Sequence, residues 1–259
     1  MKELVARIPQ HQPELILPFP KAVHHEGDIS MLFGQASVLW MMYFNKNLAI
    51  EELSYLKYHE AGADGREPSS EGIKEMRKVA LILRNAYSLF DESHHAPQTL
   101  KAVTTSLGKV ADTIKDTSSE IYIDEAIQAL RGLPDRELPQ DFEPCSITSF
   151  YDYYHGLIER LNLFLNEEQI TPHAFHITRK GIVRPIMNLY RLRAIVEPQN
   201  RPVTVTYRYF ERLNRSFGSV HDKLIKERLT GQIDYENSLI ELNQELKSEL
   251  RNLIVAHRR

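Results

Sequence analysis

Two groups of basic side chains, about one hundred residues apart, are spaced as if each lay on one face of a helix. The first group comprises Lys74, Arg77, Lys78 and Arg84, and the second comprises His176, Arg179, Lys180 and Arg184. Residues three or four positions apart share a helical face, so each group predicts a concentrated positive surface. Guanidinium groups match the geometry of phosphate oxygens, and a protonated histidine adds charge at mildly acidic pH. These residues favour the binding of a phosphate-bearing anion.

A Gly-x-Val-x-Asp pattern follows each basic group. It occupies Gly108–Asp112 in the first copy and Gly218–Asp222 in the second. Matching Arg77 to Arg179 takes an offset of 102 residues, whereas matching the two glycines takes 110, so the second copy has a longer connection. A period near 100 is too long for a solenoid repeat and indicates a duplicated helical half-domain.

The two aspartates that end this pattern, Asp112 and Asp222, have two interpretations. They could contact a ligand, or they could tie helices together. In a helical bundle, a glycine followed four residues later by aspartate allows close helix contact and a carboxylate bond to arginine. We therefore expect a structural role for both, with Asp222 paired to an arginine such as Arg179 or Arg184.

Charge is unevenly distributed along the 259 residues, although the net charge is only −3. The segment 171–230 carries 12 Lys and Arg against 4 Asp and Glu, while the first 170 residues are strongly acidic. Two explanations stay open. The positive segment either binds anions, or it neutralises the acidic first part of the chain within the fold. For the two basic groups, the alternative to anion binding is an ordinary solvated face with salt bridges to acidic side chains such as Glu71 or Glu75.

Composition indicates a globular chain, because 42% of the residues are hydrophobic and can form a substantial core. Cys145 is the single cysteine, so no intramolecular disulfide forms, in agreement with a reducing compartment. Residues 1–12 lack the apolar region of a signal peptide, and the longest apolar run, Val38–Phe44, is far shorter than a bilayer span. We expect a cytoplasmic protein without a membrane segment.

Proline positions and hydrophobic spacing divide the chain into four parts. Residues 1–27 contain four prolines and predict an extended arm, residues 28–131 a first helical half, residues 132–148 a linker, and residues 149–259 a second helical half. The prediction is an all-α fold of two similar four-helix halves.

Specific boundaries are expected for four helical segments. One long helical segment is expected over Ser30–Tyr58, and another from Thr171 toward Val196 with Pro185 as a kink. The β-forming residues after Pro202 have no second strand as a partner, so a helix is expected from there to Leu229. A final amphipathic helix is expected over Ile233–Ala256.

Other chemistry is not indicated by the sequence. The 11 histidines do not follow a metal-ligand spacing, and phosphate-loop, nucleophile-elbow and dinucleotide motifs do not occur. We expect no metal, no cofactor and no catalytic set. A single-stranded nucleic acid is the alternative ligand for the aromatic and basic residues of the positive segment. The aromatic members are Tyr190, Tyr207, Tyr209 and Phe210. The acidic first half would repel a phosphate backbone, so we do not expect this ligand.

The two halves resemble the CHAD domain, a family named for conserved histidines in an α-helical fold. Each half in that family opens on a helix of the form His-x-x-Arg-x-x-x-Arg-Arg-x-Arg and later contains Leu-Gly-x-x-Arg-Asp. His176, Arg179 and Arg184 fit the opening motif of the second half, and Gly218 and Asp222 keep the later one.

The first half departs further from the family pattern. Lys74 stands where the family has histidine, whereas Arg77 and Arg84 match arginine positions. Ala111 and His221 replace the arginine of the later motif in the two halves. This chain would therefore be a divergent member.

The resemblance implies two four-helix halves around a partly basic central groove that binds inorganic polyphosphate without catalysis. Our leading hypothesis is accordingly a non-enzymatic helical module that binds polyphosphate or a smaller phosphorylated anion. The alternative is a degenerate scaffold or protein-interaction domain of the same fold that has lost anion binding.

Overall fold

The computed structural model describes residues 3–4, 23–58, 71–113, 119–134, 137–242 and 244–258. Within these ranges the chain is mainly helical, which confirms the predicted helical class. The helices are α1 (Glu26–Tyr43), α2 (Lys46–Tyr58), α3 (Glu71–Phe90), α4 (Gln98–Thr113), α5 (Ser119–Arg131), α6 (Ile147–Asn166), α7 (Pro172–Thr178), α8 (Arg184–Val196), α9 (Arg201–Leu229) and α10 (Gln244–Arg258). The short strands are β1 (Glu3–Leu4), β2 (Gln169–Ile170) and β3 (Ile240–Leu242). None of the helices just named is long and apolar enough to cross a membrane.

Contacts divide the described residues into two compact units. One, called the N-unit here, is Phe33–Pro144. The other, called the C-unit, joins the described residues up to Leu32 with those from Cys145 onward. The first turns of α1 therefore belong to the C-unit, and the rest of that helix belongs to the N-unit.

The core of the N-unit lies where α3 packs on α4, and α5 packs on α2 and α4. Helix α3 forms because its apolar residues recur every three or four positions and bury one face, from Ile73 to Phe90. Phe33 stacks on Phe142 with ring centroids 3.5 Å apart and meets the edge of Tyr87 at 4.9 Å. The Tyr87 hydroxyl donates a hydrogen bond to the carbonyl of Gln140.

The C-unit combines helices with a small three-stranded sheet. Strand β3 is central, pairing parallel with β1 and antiparallel with β2. Helix α8 packs on α9, and α10 packs on α6. The start of α1 is tied to the end of α8, since Arg193 donates to Asp28 at 2.8 Å and pairs with Glu197 at 2.7 Å.

Helix α9 confirms the expectation for the β-forming residues after Pro202. Asn200 caps it by accepting a hydrogen bond from the backbone N–H of Val203 at 3.3 Å, and Pro202 lies in its first turn. Val203 and Thr206 then face the core. Burial along one helical face outweighs the local β propensity of these residues.

The prediction of one helical segment over Ser30–Tyr58 was wrong. The segment breaks at Phe44 and Asn45 into α1 and α2. The Asn45 side chain accepts a hydrogen bond from the backbone N–H of Leu48 at 3.0 Å, which caps α2 and gives the chain a new helix start.

The prediction of a final helix over Ile233–Ala256 was also wrong in its first part. Asp234 accepts hydrogen bonds from the backbone N–H groups of Glu236 and Asn237 at 2.9 and 3.2 Å, which fixes a turn. Strand β3 follows that turn, and α10 begins only at Gln244. An aspartate that caps its own turn competes with helix formation, a local effect that the hydrophobic spacing does not reveal.

The kink expected at Pro185 appears as a wide helical turn immediately before it. Residues Arg179–Val183 form a π-helical turn between α7 and α8. Proline cannot donate a backbone hydrogen bond and its ring collides with the carbonyl four residues earlier. A turn with bonds spanning five residues accommodates this without ending the helix.

Candidate functional site

The second basic group lies in the C-unit, where α7, the π-helical turn and α8 follow one another. Thr171 caps α7 by accepting a hydrogen bond from the backbone N–H of Ala174 at 3.1 Å, and Pro172 opens the helix. His176 lies on α7, Arg179 and Lys180 on the turn, and Arg184 begins α8. All four are partly buried.

The π-helical turn changes which of these side chains are neighbours. In a regular α-helix, residues five apart are separated by about 140° around the axis. Here the backbone N–H of Arg184 bonds to the carbonyl of Arg179, so a single wide turn separates the two residues. Arg184 thus follows Arg179 on nearly the same face. Such turns are frequent at functional sites.

Two histidines stack beside this turn. The rings of His176 on α7 and His221 on α9 have centroids 4.3 Å apart and planes inclined by 26°. Tyr235 presents its ring to the edges of both, at 6.4 and 6.3 Å. His221 is only 4% exposed. Within the described residues, Nδ1 of His176 and Nε2 of His221 are buried and have no hydrogen-bond partner.

The environment of His176 keeps its imidazole neutral. Burial is the largest influence and, with the positive charges of Lys180, Arg184 and Arg179 and the neighbouring His221 ring, it lowers the pKa of His176 to about 2. A neutral histidine surrounded by cations marks a region of positive potential inside the C-unit. We call the set His176, Arg179, Lys180, Arg184 and His221 the basic cluster.

Arg179 is held by two contacts with α9. Its Nε donates to Oδ1 of Asn214 at 3.3 Å. Its Nη2 would lie 2.7 Å from a β-carbon placed on Gly218. A side chain at this position would displace the guanidinium from its close approach to the helix.

The Asp222 carboxylate lies close to the ring of His221, the preceding residue in the chain. Its Oδ1 is 3.5 Å from Nδ1 of His221, and its side chain is 78% exposed. The hydrogen bond from His221 is the main reason that its pKa is lowered, and the charges of Arg179 and Arg184 act in the same direction. The carboxylate therefore lies at the solvent edge of the cluster, within the field of the arginines.

The first basic group occupies α3 in the N-unit and has a different setting. Lys74 is exposed. Lys78 is also exposed and pairs with Glu75 at 3.1 Å. Arg84 donates to Oγ1 of Thr104 at 2.8 Å, and burial, with the nearby charge of Arg77, lowers its pKa.

Arg77 repeats the contact that Arg179 makes in the other unit. A β-carbon on Gly108 would lie 2.7 Å from Nη2 of Arg77. Asp112 ends the same pattern on α4 and is exposed. The structure therefore brings Arg77 and Gly108 together, and leaves Lys74, Lys78 and Asp112 at the surface of the N-unit.

The two units share a longer pattern than the sequence comparison identified. After Arg-Lys, both contain Asn-x-Tyr-x-Leu, beginning at Asn85 in α3 and at Asn188 in α8. The offset is 102 residues for the arginines and 103 for the asparagines, so the second copy has one extra residue. The π-helical turn lies in this interval and accommodates it. A comparison that allows no gap within the helices does not detect this shared Asn-x-Tyr-x-Leu pattern.

Sequence reasoning missed three contributors to the cluster, His221, Asn214 and Tyr235. In the sequence His221 is only a departure from a motif, but its ring lies 4.3 Å from that of His176, closer than the Tyr235 ring at 6.4 Å. Asn214 and Thr104 occupy the same position relative to the two glycines, and each accepts from an arginine. This shared position could have identified Asn214 from the sequence. Tyr235 lies in a segment that had been assigned to a helix.

Three of the four aromatic residues considered for a single-stranded nucleic acid are buried. Tyr190 and Phe210 stack in the core with centroids 5.4 Å apart, and Tyr209 is buried beside them. Arg193 is buried in its ion pairs with Asp28 and Glu197. Among the described residues, no group of three or more His, Cys, Asp or Glu side chains is arranged to hold a metal ion.

Comparison with known proteins gives no relative. No family model matches the chain, and no curated protein and no solved structure matches it. The resemblance to the CHAD domain therefore depends on the motif residues alone.

Proposed function

We propose that the basic cluster of the C-unit binds polyphosphate or a smaller phosphorylated anion. The observation that carries this proposal is the stacked His176–His221 pair held among Arg179, Lys180 and Arg184. Three cationic side chains act on one partly buried site. A phosphoryl group supplies both the negative charge and the acceptor oxygens that suit such a group of cations.

Local order supports binding by a preformed site. Arg179 is fixed by Asn214 and Gly218, so little side-chain entropy remains to be lost when an anion arrives. Arg184 is positioned by the π-helical turn. We propose binding and not catalysis, because the cluster consists of cations, imidazoles and one exposed carboxylate at its edge.

We further propose that the two units descend from one duplicated helical half, as in the CHAD-like hypothesis. The supporting observations are the Arg77–Gly108 and Arg179–Gly218 contacts and the shared Asn-x-Tyr-x-Leu segments. In this proposal the arginine-on-glycine contact is the framework of both halves. The N-unit set of Lys74, Arg77, Lys78 and Arg84 is then a second, more solvated basic surface.

The test is a titration of the full chain with polyphosphate of defined length at several salt concentrations. Binding should weaken steeply with salt, as expected when cations release the counterions of a polyanion. Lys180→Gln and Arg184→Gln should each weaken binding about tenfold, the effect of losing one charged contact. Lys109→Gln is the matched control, because that lysine lies outside both basic groups and is paired to Glu125 on the N-unit surface. No binding at low salt, or equal losses in all three variants, overturns the proposal.

A second candidate function is protein interaction, which exposed apolar side chains on α1 and α2 favour. Met42 and Tyr43 at the end of α1 are 66% and 61% exposed, and Tyr58 at the end of α2 is 79% exposed. Exposed methionine and tyrosine are common on interaction surfaces. If polyphosphate does not bind at low salt, this scaffold function becomes the better explanation of the fold.

A further inference from the structure

The basic cluster places two buried imidazole nitrogens beside charged donors. His221 is 4% exposed, and its Nε2 and Nδ1 of His176 are buried with no hydrogen-bond partner within the described residues. Buried polar atoms in proteins are nearly always hydrogen-bonded. Two such ring atoms, in rings stacked 4.3 Å apart beside three cations, indicate a ligand that bonds to imidazole.

Charged and titratable groups approach this pair from each element around it. They are Arg179 and Lys180 of the π-helical turn, Arg184 of α8, Asp222 of α9, and Tyr235 with Arg228 over its ring. Helix α6 also contacts the turn and carries Asp152, His155, Glu159 and Arg160. The groups that act most strongly on His176 are the three cations and His221. The field at the rings is therefore positive.

We propose that the cluster binds its anion together with one proton, which His176 takes up beside the stacked ring of His221. This inference rests on the proposed anion binding and specifies how the same site responds to pH. A bound dianion compensates the cations that now oppose protonation, so an imidazolium becomes stable and donates to an anion oxygen.

The protonation state of His176 in the anion-free protein determines how the anion affinity depends on pH. The pKa of His176 in the free protein is about 2, so its ring is neutral at mildly acidic and neutral pH. Anion binding raises that pKa toward the ordinary histidine value of about 6.5. Where only the bound state carries the proton, affinity rises by up to about tenfold for each unit of pH decrease.

Calorimetric titration with sulfate tests this, because sulfate stays a dianion from neutral to mildly acidic pH. Any pH dependence then comes from the protein. Titrations in two buffers of different ionisation enthalpy measure the protons taken up per anion bound. We expect an uptake approaching one proton as the pH falls from about 7 to about 5, with affinity rising in parallel. Inorganic phosphate should bind at the same site and be displaced by sulfate.

Two histidine variants on the same helix locate the proton. His176→Gln should abolish the uptake, while His173→Gln should retain it, because the His173 ring pairs with Glu236 at 3.2 Å. Binding without proton uptake in the unaltered protein overturns this inference and leaves the proposed function standing. Equal loss of uptake in both variants overturns the assignment of the proton to His176. If neither sulfate nor polyphosphate binds at any pH, the proposed function itself fails.

Discussion

The guanidinium of Arg179 lies so close to Gly218 that a β-carbon on that glycine would stand 2.7 Å from Nη2. Arg77 has the same relationship to Gly108 in the other unit. In the N-unit the arginine lies on α3 and the glycine on α4, whereas in the C-unit the arginine lies on the π-helical turn and the glycine on α9. The sequence pattern that links a basic helix start to a later glycine thus corresponds to a direct contact.

Gly218→Ala should separate the role of this contact in binding from its role in stability. The added methyl group displaces only the tip of Arg179, since Nη2 alone would lie within 3.0 Å of it, and alanine is the better helix former by about 1 kcal/mol. We expect the free energy of unfolding to change by less than about 1 kcal/mol, while anion affinity falls about tenfold because one donor is moved. Urea denaturation and polyphosphate titration measure the two effects.

Gly108→Ala is the matched change in the N-unit and should behave differently. There, three guanidinium atoms of Arg77 would lie between 2.7 and 3.1 Å from the new β-carbon, so the whole group must move. Overpacking of this kind costs about 1–3 kcal/mol. Stability should fall, with anion affinity at the C-unit cluster unchanged. A larger loss of affinity for Gly108→Ala than for Gly218→Ala would contradict the assignment of the site to the C-unit.

The sequence predicted the helical class and the grouping of the cationic residues because both depend on helical periodicity. It did not predict the break at Asn45 or the turn at Asp234, where side chains bond to local backbone groups and override the apolar spacing. The sequence also did not predict the stacking of His176 on His221. That contact joins residues 45 positions apart on different helices, and a single sequence has no local signal for it.

Helix capping at Asn45 accounts for the separation of α1 from α2 and can be tested by a pair of substitutions. Asn45→Ala removes the acceptor for the backbone N–H of Leu48 and should lower the free energy of unfolding by about 1 kcal/mol. Asn47→Ala, at an exposed position inside α2, should leave stability unchanged or slightly raised, since alanine favours the helix. Urea denaturation of both variants provides the comparison. Equal effects would show that the cap is unimportant.

The buried pair Asp28–Arg193 should be a major contributor to the stability of the C-unit. Both side chains are nearly inaccessible, at 5% and 6% exposure, and the bond is 2.8 Å long. Removing one partner of a buried pair leaves an uncompensated charge, which costs about 3–5 kcal/mol. Because Arg193 keeps its second partner Glu197, we expect Asp28→Ala to cost near the lower end of that range.

Glu197→Ala is the matched control for this pair. Its side chain is 34% exposed, so solvent already screens part of the interaction with Arg193. We expect a loss of about 1 kcal/mol or less, measured by denaturant unfolding with an unchanged m-value. A larger loss of unfolding free energy for Glu197→Ala than for Asp28→Ala would show that the exposed partner of Arg193 contributes more to stability than the buried one.

Asp28 should also contribute to the acid limit of stability. Burial acts to raise its pKa, but the backbone N–H of His24 and the guanidinium of Arg193 outweigh burial and lower it. A carboxyl with a lowered pKa stabilises the fold above its unfolded value of about 3.9, and that contribution is lost as the pH falls through the lower folded value. Asp28→Asn should therefore flatten the stability profile below about pH 4. An unchanged acid limb would assign the effect to other carboxylates.

His176 should make the protein without a bound anion less stable as the pH falls from about 6.5 toward about 2. Its pKa is lowered to about 2 in the folded state, whereas an unfolded histidine titrates near 6.5. Between these values the unfolded chain binds a proton that the folded chain does not, so stability declines by up to about 1.4 kcal/mol for each unit of pH decrease. His176→Gln should remove that slope, and His173→Gln should not. Sulfate should reduce the slope in the unaltered protein, because the bound anion lets His176 accept its proton in the folded state. A slope that persists in His176→Gln would place the titrating group elsewhere.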